Sequence, residues 1–411
     1  MADTWAQDAM ATLWEEVVEA TDLNATLSKD LDTFDFSDLD GERSDDTTHI
    51  PMELRYEVQD GYVSVEGDIQ DNIERLIPVN RDKSKRVLTS ISTKALRDPA
   101  KRAKAAKGMA RELRNAIDIT CYQTMINEAS LVISSASAFD YADPIDAELL
   151  MLNNGLGGFD KKLFLSNKHY GNVAKDLGQN QYYGKDGIPA DALTKAKLPM
   201  LATFDTMRSD YLINLPANAT TGLAINGDQS HTVATYDSND FYLDNRSMTL
   251  AITGVTDGNF PVGTKFTITG VNALNPETRE DSGDLQTFTV KAVNGAGSSI
   301  VQPSIVIDGP YKNCSAQAAD AAAISIINIA SSNPTLFYTP ESTCIVPGRL
   351  PVPADAGSVN VVEATTEQGL PMRMTYTYDF HNEVFKMKAL VFFDVQVVQP
   401  SMLGVILDNQ T

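Results

Sequence analysis

The sequence predicts an α+β protein in which a β-rich domain interrupts a host of mixed helices and strands. Between about 218 and 333, short stretches such as 248–253, 265–269 and 287–292 alternate apolar and polar side chains. Gly, Asn, Asp and Pro separate these stretches, which is typical of half-buried antiparallel strands joined by turns. A long helical pattern precedes the block and long strands follow it, so the block reads as an insertion.

The N-terminal segment predicts a helix followed by an acidic arm. Trp5, Met10, Leu13, Trp14 and Val17 recur at helical spacing, so an amphipathic helix is expected over 3–21. Between 29 and 46 the chain carries eight acidic residues and two basic ones. Such a tract is usually a solvated arm, and a basic partner would also find a docking surface there.

The next segment predicts an extended hairpin from about 50 to 91. Met52, Leu54, Tyr56 and Val58 alternate with polar and charged residues, Asp60-Gly61 is a strong turn signal, and 86–91 supplies a later strand. A thin hairpin is marginally stable alone in water. We therefore expect its apolar face to pack on a neighbouring subunit.

A long helix is predicted to begin at Asp98-Pro99, with Asp as the N-cap and Pro in the first helical position. Apolar side chains recur every four residues to about 130, which indicates a rod lying across a sheet. Its first half is basic, through Lys101, Arg102, Lys104, Lys107, Arg111 and Arg114. A solvated helix face is the preferred interpretation, and sequence-independent contact with nucleic acid is the alternative.

The last third of the chain returns to host elements after a further helix predicted over 142–154. Residues 372–380 and 385–397 alternate around His381-Asn382-Glu383, which predicts a hairpin of two long strands. The host domain is expected to resume near Pro334.

Composition narrows the function classes. The chain has 411 residues, 43% of them hydrophobic, and a formal net charge of −22. That length predicts two or three domains, and the charge argues against a dedicated DNA-binding enzyme because acidic surfaces repel phosphate. No apolar run approaches the ~20 residues that a membrane helix needs. The first residues lack signal-peptide features, so a soluble protein made in the cytoplasm is expected.

The sequence predicts no catalytic, cofactor-binding or metal site. Its four histidines lie in separate segments without ligand spacing, so each is interpreted as a surface or turn residue. The three cysteines are far apart and odd in number, which favours reduced thiols over disulfides or zinc. An enzyme is therefore not expected.

A succession of residues in the inserted block carries a family resemblance. Asp244-Asn245-Arg246 leads into the first long strand, 263–275 reads Gly-Thr-Lys-Phe-Thr-Ile-Thr-Gly-Val-Asn-Ala-Leu-Asn, and 285–290 reads Leu-Gln-Thr-Phe-Thr-Val. This succession resembles the inserted domain of the major coat proteins of short-tailed, P22-like bacteriophages. The order of elements on either side agrees, so the resemblance extends over nearly the whole chain.

The resemblance implies a Hong Kong 97-type capsid fold with an inserted all-β barrel. The implied division is an N-terminal arm (1–48), an extended loop (49–97), a peripheral domain with a long spine helix (98–141), an axial and peripheral core (142–217), the barrel (218–333) and the returning core strands (334–411).

The resemblance also implies a major capsid protein that assembles into an icosahedral head shell around double-stranded DNA, by way of a procapsid. The implied partners are further copies in hexamers and pentamers, a scaffolding protein, a portal protein and packaged DNA; a decoration protein is left open. The residues assigned to these roles are Asp35, Asp38 and Asp40 for scaffold docking, Leu54, Tyr56 and Val58 for the intersubunit hairpin, Asp237 and Asp240 for an inter-capsomer loop, and Lys101, Arg102 and Lys104 for facing DNA.

Without the resemblance, the residues themselves leave two other function classes open. A β-rich binding module or adhesin on a helical stem fits the inserted block, although the missing signal peptide argues against it. An enzyme of unrecognised type is the third class, and the missing catalytic spacings argue against that.

Overall fold

The computed structural model describes residues 2–24, 26–34, 47–58, 72–80, 83–179, 201–256, 258–348 and 360–410. Backbone proximity divides the chain into two compact units. The first comprises Met1–His49, Pro78–Tyr122 and Thr343–Gln396, and the second comprises Ile50–Ile77, Gln123–Ser342 and Val397–Thr411. The helices within the described residues are α1 (Ala2–Asn24), α2 (Thr93–Leu96), α3 (Pro99–Glu128), α4 (Ala142–Asn153) and α5 (Asn167–Gln179), with short 3₁₀ turns at Ser28–Asp30, Pro340–Ser342 and Pro400–Met402.

Helices α1 and α3 confirm the helical patterns of the sequence. Met10, Leu13, Trp14 and Val17 on α1 are buried. Helix α3 begins at Pro99 as predicted, and the Asp98 carboxylate accepts a hydrogen bond from the backbone N–H of Ala100 at 3.0 Å. The N-cap therefore satisfies one of the donors that a helix start leaves without a partner.

The first unit is built on a sheet with strand order β1-β15-β18-β17-β16, in which β4 also pairs with β18. Strands β17 and β18 form the predicted hairpin, with Tyr376 opposite Met387. The strands of this sheet are β1 (Asp32–Thr33), β4 (Ser84–Ser92), β15 (Thr343–Pro347), β16 (Asn360–Thr365), β17 (Pro371–Asp379) and β18 (Val384–Val397).

Within the described residues the two strands predicted for the extended hairpin do not pair with each other, and the predicted turn at Asp60-Gly61 lies outside those residues. Residues 52–58 have no regular secondary structure, and the paired strands are β2 (Thr48–Pro51) and β3 (Leu76–Val79). Strand β4 pairs instead with β18, from Ser92 opposite Val384 to Ser84 opposite Phe392. The long strand β18 offers β4 a continuous ladder of backbone partners, which the thin hairpin could not match.

The host part of the second unit is a five-stranded sheet in the order β5-β19-β14-β6-β7. Helices α4 and α5 contribute Ala147, Met151 and Val173 to its core, beside Phe204 and Phe337. Its strands are β5 (Leu131–Ser134), β6 (Lys162–Leu165), β7 (Asp205–Arg208), β14 (Thr335–Tyr338) and β19 (Leu403–Leu407).

The inserted block forms a closed barrel. Its strands follow the order β13-β10-β11-β12-β9-β8, and a bridge between Ala224 and Ala323 joins the two ends of that order. Phe260, Phe266 and Phe288 fill the interior, with ring centroids 5.2 and 5.7 Å apart along the series. The strands are β8 (Ala224–Ile225), β9 (Met248–Thr253), β10 (Lys265–Leu274), β11 (Asp281–Val293), β12 (Ser298–Gln302) and β13 (Ile324–Ile326).

The chain enters and leaves the barrel at adjacent points. Leu215 and Ser332 exchange backbone hydrogen bonds of 2.9 and 3.3 Å, and the N–H of Asn218 donates to the carbonyl of Asn328 at 2.8 Å. The Asn328 side chain adds a bond to the carbonyl of Pro216 at 3.1 Å. These hydrogen bonds form a neck in which the segment that enters the barrel is held to the segment that leaves it.

Candidate assembly surfaces

The barrel is fastened to the end of helix α3 by a buried lysine. The Nζ atom of Lys265, on β10, lies 2.7 Å from the carbonyl oxygens of Ile126 and Ala129 and 3.0 Å from the Thr289 hydroxyl. The last carbonyl groups of a helix have no partner within the helix, and a cation there is also favoured by the helix dipole. Lys265 therefore caps α3 from the barrel.

Further polar contacts strengthen this junction. The Thr289 hydroxyl donates to the carbonyl of Ala129 at 2.5 Å, and the Thr287 hydroxyl donates to the carbonyl of Ser130. Gly263 has a φ of +86°, and a Cβ there would lie 2.8 Å from the Asn127 side-chain oxygen. Glycine thus allows the turn before β10 to approach the helix end closely.

The chemistry of Lys265 is structural. Burial lowers the pKa of its ammonium well below the usual range, and the nearby Glu128 carboxylate opposes that shift. The hydrogens of the amine are directed at main-chain and hydroxyl acceptors, which compensate for its burial. Lys265 alternates with Phe266 on β10 as the sequence indicates, but it is fully buried, because its stem reaches a helix end distant in the sequence.

The predicted intersubunit residues lie in the loop before residue 59. Leu54 is half-buried, whereas Tyr56 is 61% exposed and Val58 is 94% exposed. The Tyr56 hydroxyl donates to the side-chain oxygen of Asn72 at 3.0 Å. Within the part of the chain that the structure describes, the two outer apolar side chains are thus exposed.

The base of the same loop is held by the barrel of its own chain. The Tyr311 hydroxyl accepts from the Arg55 N–H and donates to the carbonyl of Ile73, both at 3.2 Å. The Arg75 guanidinium lies 4.8 Å from the centre of the Tyr311 ring, and burial lowers the pKa of Arg75 to about 10. Arg279 also pairs with Glu57 at 2.5 Å. Tyr311 joins the two arms of the loop.

The predicted inter-capsomer loop is a tight turn between Tyr236 and Tyr242, which form a backbone bridge. The Asp237 carboxylate accepts hydrogen bonds from the N–H groups of Phe241 and Asn239, and these bonds lower its pKa. Asp240 is exposed and has a φ of +61°. The Asp237 carboxylate therefore shapes the turn, while the Asp240 carboxylate faces solvent.

The predicted DNA-facing residues differ in their surroundings within the first unit. Arg102 lies 3.5 Å from the Glu16 carboxylate of α1 and its side chain is only 18% exposed. Lys101 is exposed and lies 3.9 Å from Asp98, and Lys104 is exposed. Arg102 thus joins two helices, and the exposed cations are Lys101 and Lys104.

The predicted scaffold-docking residues Asp35, Asp38 and Asp40 lie outside the described residues. The chain just before them is anchored by Asp118, a fully buried residue of α3. Its carboxylate accepts from the N–H of Ser28 and the hydroxyl of Thr26, each at 3.0 Å. The sequence reasoning missed Asp118, whose signal is a carboxylate on the same helical face as Cys121 and Tyr122, three and four residues later.

His169 corrects the expectation that each histidine lies at the surface or in a turn. It is fully buried on α5, stacked on Phe139 at 4.3 Å, with Nδ1 2.7 Å from the Thr335 hydroxyl. Its Nε2 lies 3.3 Å from the buried Asp408 carboxylate, which Lys168 also contacts at 2.7 Å. Burial alone would raise the pKa of Asp408, but the bonds from His169 and Lys168 lower it to about 2.

The three cysteines are free and buried, and burial raises the pKa of each thiol. Among the residues the structure describes, no group of three or more His, Cys, Asp or Glu side chains is placed to hold a metal ion. Within that same part of the chain, no helix is both long enough and apolar enough to cross a membrane.

Comparison with known proteins gives a family match over almost the full length. The model of the P22 coat protein family, described as gene protein 5, matches residues 1–408.

Solved structures give further similarities. A structure named CUS-3 coat protein I-domain is 34% identical over 26% of this chain and 97% of its own, with a TM-score of 0.22. The mature capsid of bacteriophage PhiM1 is 10% identical over 94% of this chain and 88% of its own, with a TM-score of 0.47. A structure from Mycobacterium phage Che8 is 8% identical over 93% and 91%, with a TM-score of 0.46.

Proposed function

The chain belongs to the P22 coat protein family, and on that premise we propose how it builds a phage head. As a member of this family it is a major capsid protein, a structural protein of the head shell and not an enzyme. Membership confirms the resemblance drawn from the sequence. The Hong Kong 97-type fold of the host segments is part of the proposal, and the inserted block is a closed barrel. The observation that carries this function is the match over residues 1–408.

The six segments expected from the sequence are proposed as functional divisions of the subunit, from the arm (1–48) to the returning core strands (334–411). The closed barrel and its paired neck support treating the insertion as a module. The module is proposed to aid folding of the whole subunit and to help fix contacts between capsomers.

The loop that carries Leu54, Tyr56 and Val58 is proposed to contact a neighbouring subunit within the capsomer. The exposure of Tyr56 and Val58 supports this, since apolar side chains gain free energy when another surface covers them. Tyr311 would present the loop in a fixed direction, because it holds both of its arms. Repetition of one contact around a ring closes a pentamer or hexamer.

The turn that carries Asp237 and Asp240 is proposed to reach a neighbouring capsomer through charged contacts. The exposed Asp240 carboxylate supports this role, and Asp237 would hold the turn in shape. A basic side chain on the partner capsomer is the expected counterpart, and such a pair at the surface weakens as salt rises.

The acidic arm is proposed to dock a basic scaffolding protein during procapsid assembly. The one-sided charge between Asp30 and Asp46 supports this. Replacing Asp35, Asp38 and Asp40 with Asn should reduce co-sedimentation with the scaffolding protein at low salt, and the same three substitutions should leave the subunit's thermal midpoint unchanged. Undiminished co-sedimentation would contradict scaffold docking, and the arm would then serve only to hold subunits together.

Lys101 and Lys104 are proposed to face packaged DNA on the inner surface of the shell, through contacts that do not depend on sequence. Arg102 is also proposed to face the DNA, although its pairing with Glu16 supports a mainly structural role. A portal protein is a further proposed partner, and assembly is placed in the host cytoplasm.

Negative-stain imaging of the purified chain, alone and with its scaffolding protein, tests the proposed function. Closed shells or capsomer rings are expected. Small uniform particles under every condition would contradict a shell-forming protein and favour a binding module instead.

A further inference from the structure

Helix α4 of the second unit is apolar on two faces, and only one of them is covered. Ala147 and Met151 face the core of the five-stranded sheet and are fully buried. Tyr141, Ile145, Leu149 and Leu152 recur at four, four and three residues, which places them on one helical stripe. Their exposed fractions are 41, 45, 56 and 45%.

The stripe continues beyond the helix. Leu149 and Leu285, which is 42% exposed, line one groove beside β5. Leu152 lies 3.3 Å from where a Cβ of Gly157 would stand, and Phe159 follows, 38% exposed. Phe159 lines a second groove together with Tyr56 and Val58. The apolar surface of α4 is thus continuous with the loop already proposed as a subunit contact.

We propose that this stripe on α4 is a contact between two copies of the coat protein within a capsomer ring. Contiguous exposed apolar patches mark interaction sites. The inference rests on the proposed function, which supplies neighbouring copies at fixed positions. The stripe adjoins the loop of Tyr56 and Val58, which is already proposed to contact a neighbouring subunit. The same neighbour would therefore cover both the loop and α4.

The charge around the stripe limits which kind of molecule can cover it. Asp140, Asp146 and Asp160 are exposed beside it, and carboxylates repel nucleic acid phosphate. Packaged DNA is therefore a poor occupant. A ring contact joins two different surfaces of neighbouring copies, so a second copy would cover the stripe with another part of its own surface.

A pair of matched variants tests the contact. Leu149→Lys puts a charge into the stripe while placing an ammonium three residues from Asp146, which favours the helix. We expect its assembled fraction to fall by more than about tenfold, with an unchanged thermal midpoint for the free subunit. Leu212→Lys makes the same change at an apolar side chain that is 75% exposed and lies outside the barrel, the loop and the stripe, and it should assemble like the wild type. Normal assembly of Leu149→Lys would overturn the proposal.

Hydroxyl-radical labelling of the wild-type chain tests it without any substitution. Leu149 and Tyr141 should become several-fold less reactive when free subunits enter scaffold-free shells. Reactivity in the shells equal to that of free subunits would overturn this inference alone. Protection that is lost when the scaffolding protein leaves an intact shell would also overturn it, because the scaffolding protein would then be the chain that covers the stripe. Wild-type subunits that form no shells would instead contradict the proposed function.

Discussion

The Nζ atom of Lys265 lies 2.7 Å from the carbonyl oxygen of Ala129, although 136 residues separate the two in the chain. The lysine belongs to the inserted barrel and the carbonyl to the exit from helix α3. Because the ammonium also reaches the Ile126 carbonyl, one buried group satisfies two acceptors of the helix end. The barrel and the end of α3 therefore stabilise each other.

Replacing Lys265 with Met should reduce the free energy of unfolding by about 3 kcal/mol, because buried carbonyls are left without donors. Urea unfolding followed by circular dichroism measures the loss. Lys291→Met on the neighbouring strand is the matched control. Lys291 is partly exposed and lies 3.4 Å from Asp244, so its loss should cost less than about 1 kcal/mol. Equal losses in the two variants would contradict the capping role.

The isolated barrel, residues 215–332, should fold cooperatively on its own. Its strands close into a barrel around a phenylalanine core, and its two ends are hydrogen-bonded to each other. The fragment lacks the end of α3, so the Lys265 ammonium loses its carbonyl partners. Water would hydrate the ammonium instead, and no buried charge is left without a partner. A single sigmoidal thermal transition by circular dichroism is expected, and a featureless melt would refute independent folding.

Replacing Tyr56 with Asp should block capsomer formation and leave the subunit folded. Tyr56 is exposed in the single chain, so the charge costs little there, whereas the same charge inside an apolar subunit contact is expensive. Sedimentation velocity compares assembly, and the thermal midpoint reports folding. Tyr56→Phe loses only the hydrogen bond to Asn72 and should assemble; assembly of the Asp variant would remove the loop from the interface.

Acid should destabilise the second unit through Asp408. Its pKa of about 2 in the folded chain lies below the ordinary ~3.9 of an unfolded Asp. The carboxylate therefore contributes stability that is fully present above about pH 4 and is lost as the pH falls towards about 2, by roughly 2 kcal/mol. The difference in urea midpoint between about pH 5 and pH 3 should shrink in Asp408→Asn. An identical pH dependence in the variant would show that the Asp408 carboxylate does not cause the loss of stability in acid.

Long periodic segments could be predicted because each pattern is contained in one stretch of chain. The apolar repeat and the Asp98-Pro99 start identified α3, and alternation identified the β17–β18 hairpin and the main barrel strands. The family succession between 244 and 290 also lies in local sequence, which is why the capsid function could be drawn from it.

Tertiary structure decided which distant groups meet. Strand β4 found its partner in β18, almost 300 residues away, because a long strand provides more backbone partners than a thin hairpin. His169 was expected at the surface or in a turn, and Lys265 is a polar member of an alternating strand; both are buried because acceptors from remote segments surround them. Periodicity reports which side of an element is apolar, whereas the partner of a buried polar group depends on chain segments that no local pattern contains.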